Sequence, residues 1–159
     1  YAPTHLNMSY QYLERGEQSK ATVHAQRAVE LNPNMPMAHM QLGLLLMQSE
    51  QFPMAVAHFD AAFQKGVQDT PARHQYAYAL TRAGRLNDAL KQYRIVLLLD
   101  RNDGRSWAGL ADVFILQNRL EEARQAVQQG LARDPESPNV QTMARALQQR
   151  LQGQSGGGP

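Results

Sequence analysis

The sequence predicts an all-α fold: four tandem helix pairs closed by a ninth helix. Three observations predict it. The first is a fixed step of 34 residues. It links the small residues Ala21, Ala55, Ala89 and Ala123, and the large apolar residues Tyr12, Leu46, Leu80 and Phe114. A constant step of that size marks a repeat array, in which each period is one supersecondary unit stacked on its neighbours. The second is helical spacing of apolar residues inside the periods, as in Val23, Ala25, Ala28 and Val29, and again in Ala89, Leu90, Tyr93, Val96 and Leu97. The third is the placing of helix breakers. Gly16, Gly84 and Asn118 tolerate the left-handed backbone of a tight helix end. Asn32-Pro33 and Asp134-Pro135 end helices, because a residue before proline disfavours the helical region.

The periods run 2–35, 36–69, 70–103 and 104–137, with no insertion or deletion between them. Other columns of the register agree: Met8, Leu42, Tyr76 and Leu110 are large, whereas Ser9, Gly43, Ala77 and Ala111 are small. Ala28, Ala62, Val96 and Gly130 form a further small column. Small residues such as Gly43 or Ala77 on a first helix, facing Ala55 or Ala89 on a second, let the two axes approach. Asp69-Thr70-Pro71 and Asp103 read as helix starts with a capping side chain ahead of the first turn. After the fourth period, Ser137-Pro138 opens a capping helix over 138–152. Val140, Ala144, Leu147 and Leu151 form its apolar stripe, with Arg145, Gln148, Gln149 and Arg150 behind. Residues 153–159, rich in glycine, are expected to be a flexible tail.

Each period resembles the tetratricopeptide repeat (TPR), a 34-residue helix–turn–helix. The fourth carries the motif best, in Trp107, Leu110, Ala111, Phe114, Ala123 and Pro135. The second has Leu42-Gly43, Leu46, Ala55 and Phe59; the first has Tyr12, Ala21 and Pro33; the third has Ala77, Leu80, Ala89 and Tyr93. Departures are His5, His39 and Arg73, where the family usually has a large apolar residue, and Ala25 and Val127, where it has an aromatic. The resemblance implies a right-handed α-solenoid whose first helices line a concave groove for an extended peptide or a helix of another protein.

The residues that this implies for partner binding are Leu6, Tyr10 and Leu13 in the first period, and Met37, Met40, Gln41, Leu44, Met47 and Gln48 in the second. The third offers His74, Gln75, Tyr78, Thr81 and Arg82, and the fourth Arg105, Asp112 and Ile115. The first half is rich in methionine (Met35, Met37, Met40, Met47, Met54), a flexible side chain suited to varied apolar partners. Substituting Met40→Glu with Leu44→Glu is expected to abolish capture and leave helicity intact. Some family members hold chaperone C-termini in a clamp of Lys, Asn and Arg. Here the matching places hold Leu6, Tyr10, Gln41, Pro71 and Gln75, and one repeat along only Arg105 fits, which argues against that ligand.

Composition narrows the function. Sixteen basic and 14 acidic residues leave a charge of +2, with no basic run to attract nucleic acid or an anionic membrane. The absence of cysteine removes disulfides, thiolate metal sites and cysteine nucleophiles. Apolar runs such as Leu42–Met47 are too short to span a bilayer. Phosphate-loop, nucleophile-elbow and zinc-protease motifs are lacking, so the sequence predicts no enzyme, no cofactor and no metal. Glu121 and Glu122 are adjacent and point apart on a helix. Among the histidines, partners one repeat apart lie too far apart to share a ligand; His24 and His39 can approach across a repeat junction, and the expectation is partly buried, hydrogen-bonded histidines with no metal.

The expected function is an adaptor that captures an apolar peptide or helix in a methionine-rich groove, as in bacterial pilus, secretion, envelope or cytochrome assembly. The alternative is a homo-oligomerising module that joins through its ends, which concentration-dependent sedimentation would reveal. A chain opening at Tyr1 is expected to be a fragment or a processed form, of a cytoplasmic or a periplasmic protein.

Overall fold

The computed structural model describes residues 1–155. Among them it has nine helices and no strand: α1 (Ala2–Glu14), α2 (Gln18–Leu31), α3 (Pro36–Gln48), α4 (Phe52–Gln64), α5 (Thr70–Arg82), α6 (Leu86–Leu99), α7 (Gly104–Leu116), α8 (Leu120–Arg133) and α9 (Pro138–Ser155). The first residues of α1, α3, α5, α7 and α9 are 2, 36, 70, 104 and 138, each 34 after the last. Those of α2, α4, α6 and α8 are 18, 52, 86 and 120, again 34 apart.

The turn inside each period is built the same way. Gly16, Gly84 and Asn118 have φ of 75°, 78° and 56°, and Glu50 holds the same place at 57°. Glu50 is the departure, since a side chain with a Cβ pays a steric cost in this region. Side-chain caps form at Asp69, which accepts from the Ala72 amide at 2.7 Å, and at Asp103, which accepts from the Arg105 amide at 3.2 Å. Behind α2 and α6, Asn32 and Asp100 accept from the amides two residues on, of Asn34 (3.0 Å) and Asn102 (2.9 Å).

The chain forms two compact units. The first is Tyr1–Ala83 and the second begins at Gly84. In the first, α1 packs on α2, α3 on α4, and α2 and α4 on the helices that follow them. Its interior is alanine-rich: Ala21, Ala25, Ala28, Ala38, Ala55 and Ala62 are wholly buried, with Phe59 and Leu45 among them. A Cβ at Gly43 would meet the ring carbons of Phe59 at 3.1 Å, so the small residue makes room for an aromatic ring of α4. Between α4 and α5, Tyr76 bonds Asp60 and stacks on Phe63 (centroids 5.3 Å), while the Arg73 guanidinium lies 4.3 Å above Phe63. Arg73 thus covers apolar surface through a cation–π contact.

In the second unit, α7 packs on α6, α8 and α9, and α9 also on α8. Gly109 and Gly130 set the spacing. A Cβ at Gly109 would stand 2.3 Å from the Tyr93 ring, and one at Gly130 would stand 2.9 Å from Val140 and 3.0 Å from Trp107. Val140 and Leu147 of α9 point inward, as the stripe predicts, and Arg145, Gln148, Gln149 and Arg150 are exposed. α9 continues through Ser155, so the helix outruns its expected end at 152 and takes in the first three residues of the expected tail. Residues 156–159 lie outside the described residues. Val23, expected on the apolar face of α2, is 64% exposed.

Candidate functional site

The register brings Tyr10, Leu44 and Tyr78 to one place on α1, α3 and α5 of the first unit. Tyr10 and Leu44 are half-buried, and Tyr78 is 42% exposed. Burial pushes the Tyr10 phenol above its ordinary pKa. Tyr78 is held edge-on to Phe52, centroids 6.0 Å apart at 77°, and the exposed Arg82 places its guanidinium 5.5 Å above the same Phe52 ring. Tyr and Arg are preordered here by an aromatic neighbour from the start of α4, and both are residue types enriched in binding hot spots. Phe52 was not foreseen, because it lies on a second helix of its pair.

Around this cluster the sequence-derived set divides. Leu13, Met47, His74 and Gln75 are half-buried, and Met37 and Gln48 are exposed. Leu6, Met40 and Gln41 are corrected: they are 6%, 4% and 3% exposed and belong to the packing. Leu6 joins Ala28 and Ala38, with Tyr10, Val29 and Met35 against them, and Gln41 donates to Ser9 across the α1–α3 contact at 3.3 Å. Thr81 is buried too, bonding the Ala77 carbonyl. A double substitution at Met40 and Leu44 would therefore put a carboxylate into the interior and unfold the unit before it reported on binding. The methionines do not form one surface: Met35 fills a junction, Met40 is interior, and Met54 is exposed on α4.

In the second unit Arg105 is exposed, its Nε 3.3 Å from Asp103 at the start of α7. Asp112 and Ile115 of the same helix are half-buried.

The histidines pair in a way that the sequence reading missed. His5 meets His24, Nδ1 to Nδ1 at 3.0 Å, and His39 meets His58 at the same distance. Each pair spans 19 residues and links the two helices of one period; His24 and His39 are not the pair. His39 Nε2 lies 3.0 Å from the Pro33 carbonyl, which only accepts, so that nitrogen carries a hydrogen. In neutral His39 the Nδ1 is then the acceptor and His58 Nδ1 the donor. Burial, and then the neighbouring His39, holds His58 below its ordinary pKa. His5 is lowered by burial first, then by His24, the amino terminus and Arg27. Two nitrogens do not close a tetrahedral metal site, and among the described residues no group of three or more His, Asp or Glu could hold a metal.

Five equally spaced helix starts, a left-handed turn at one position of each pair and alanine-lined contacts describe a repeat fold. A family profile, the tetratricopeptide repeat, matches residues 80–149. The fold is that of the tetratricopeptide repeat. Among solved structures, a TPR relative in shape is a double mutant of MamA RS-1, with a TM-score of 0.82 at 21% identity over 94% of this chain and 84% of that one. MamA from Desulfovibrio magneticus RS-1, residue 41 to its end, gives 0.76 at 19% over 99% and 97%. PilF of Pseudomonas aeruginosa gives 0.73 at 18% over 96% and 69%. At these identities the likeness speaks for the TPR fold and not for a shared partner. No curated protein matches the sequence. TPR proteins are in general non-enzymatic scaffolds for protein interaction, and this chain has the scaffold's fold. No helix among the described residues is long and apolar enough to cross a membrane.

Proposed function

We propose that this protein is a non-enzymatic adaptor that holds an apolar peptide or helix of a partner protein on the odd-helix face of its first unit. The contact residues in this reading are Tyr10, Leu44, Met47, Tyr78 and Arg82, with Met37 at one margin. The observation that carries it is the Tyr78–Phe52–Arg82 cluster. A large, rigid aromatic stands in solvent with its orientation already fixed, so binding costs it little conformational freedom. Half-buried Tyr10 and Leu44 continue the apolar line on neighbouring helices. A setting in bacterial assembly, such as pili, secretion systems, the envelope or cytochrome maturation, accords with fold relatives from Pseudomonas aeruginosa and Desulfovibrio magneticus.

The test is capture of proteins from a lysate of the source cell by immobilised wild type and by a Leu44→Glu/Tyr78→Ala variant. The variant should retain its helical circular dichroism and lose specific capture by about tenfold, the loss of one hot-spot residue. Equal capture by the two would overturn the assignment.

A further inference from the structure

The second unit carries a cavity that the odd-helix face does not include. It lies among α6, α7 and α8, has a volume of about 450 Å³, and is lined by Arg94, Leu97, Leu98, Arg101, Trp107, Leu110 and Arg133. A space of that size falls in the range of small-ligand and side-chain pockets. Its chemistry is unusual for a chain with net charge +2: three guanidiniums and no carboxylate line it.

The walls are held in place. Trp107 donates from Nε1 to the Arg101 carbonyl at 2.8 Å, and Arg133 lies 5.3 Å above its ring. Arg133 is fixed in turn by Gln129, through its carbonyl oxygen at 3.1 Å and its side-chain oxygen at 2.6 Å. Gly130 admits Trp107 beside α8, and Gly109 admits the buried Tyr93 ring between α6 and α7. Leu97 and Leu110 are buried at the base, whereas Leu98 is 74% exposed. Arg94 and Arg101 are exposed on α6 and just beyond it, and neither is paired with a carboxylate among the described residues. Three other arginines of this unit, Arg85, Arg119 and Arg124, are matched with Asp88, Glu122 and Glu121, whereas Arg145 and Arg150 of α9 have no such match among the described residues.

We infer that this cavity is a second docking site, for an acidic and apolar segment of another protein: a Leu or Phe side chain among Trp107, Leu97, Leu98 and Leu110, flanked by Asp or Glu that pair with Arg94 and Arg101. The charge is complementary only to an anion, and planar guanidiniums match carboxylates in a two-point contact. The apolar walls require that the anion carry a large apolar group beside it, a demand that a phosphate backbone does not meet. The site is independent of the odd-helix reading of the first unit, and each stands or falls without the other.

Trp107 is the chain's one tryptophan and lines both this cavity and the adjoining space beside Phe114, Arg119 and Glu122, so its fluorescence reports on this corner of the second unit, and the Arg101 substitution ties the signal to this cavity. The probe is a short synthetic peptide of Glu, Leu and Phe, titrated into the whole chain. Saturable change in Trp107 emission is expected. An Arg94→Glu/Arg101→Glu variant, with both substitutions at exposed positions and helicity checked by circular dichroism, should bind about tenfold more weakly or less. Two control peptides sharpen the reading, one with Gln for Glu and one with Ser for Leu and Phe, and each should bind about tenfold more weakly. No response to the parent peptide, or equal binding of either control, overturns the proposal. So does a stronger response to phosphatidylglycerol vesicles or to single-stranded RNA than to the peptide.

Discussion

The two units of this molecule fill the same place in the repeat with opposite chemistry. His5, His39, Arg73 and Trp107 stand one 34-residue step apart. In the first unit the histidines are each bonded to a second histidine, and Arg73 is spread over Phe63. In the second, Trp107 occupies the place, lodged against Gly130 with Arg133 over its ring. One scaffold position thus accepts a titratable pair, a cation on a ring, or a large aromatic, provided that the side chain's polar atoms find partners inside the fold. The comparison extends to titration as a whole: all five histidines (5, 24, 39, 58 and 74) precede Gly84, so the second unit has none.

The largest effect that would sharpen this contrast is Trp107→Ala. Removing a half-buried indole that Gly130 was shaped to admit should cost about 2–3 kcal/mol in chemical denaturation, with little dependence on pH between 5 and 7. A loss under about 1 kcal/mol would mean that the aromatic is not what holds this position.

Acidification comes next. His58 and His5 have depressed pKa values when folded. Between those values and the ordinary 6.5 the unfolded chain binds more protons than the native one. Stability linked to them is therefore full above about pH 6.5 and is lost as pH falls through that window. Hydrogen exchange, corrected for the intrinsic rate, should show α1 to α4 losing protection toward about pH 5.5 while α7 to α9 hold theirs. In a His39→Leu/His58→Ala variant the loss over α3 and α4 should flatten. Parallel behaviour of both units would break the comparison.

The smallest effect lies at a turn. Glu50→Gly should stabilise the first unit by about 0.5–1 kcal/mol, since relief of the left-handed strain exceeds the entropy that glycine adds to the unfolded chain. Thermal melts of the two proteins measure it, and an unchanged or lower midpoint would show that Glu50 is not strained.

Much of the fold could be read in advance because its signal is translational. Any residue with a steric duty, such as Ala21 or Tyr12, repeats that duty 34 residues later, and four weak copies add up. The candidate site is less legible because exposure depends on what a neighbouring helix covers. Met40 and Leu44 lie on one helix four residues apart, yet the first is interior and the second half-open. Phe52 is not legible as a site residue because it opens α4, a second helix, whereas the repeat pattern points to first helices. The histidine pairs were hidden for a related reason: their spacing of 19 crosses a pair of helices, and a search for equal steps passes over it. It was still present as a signal, because the same 19-residue interval occurs twice, at 5–24 and at 39–58.

The recurrent left-handed turn at 16, 50, 84 and 118 has an architectural consequence. Cutting the gene at that phase and pasting in one more period would recreate a joint that the polypeptide already knows how to make. Growth by duplication would need no new loop, which leaves selection free to rewrite the side chains of the added copy.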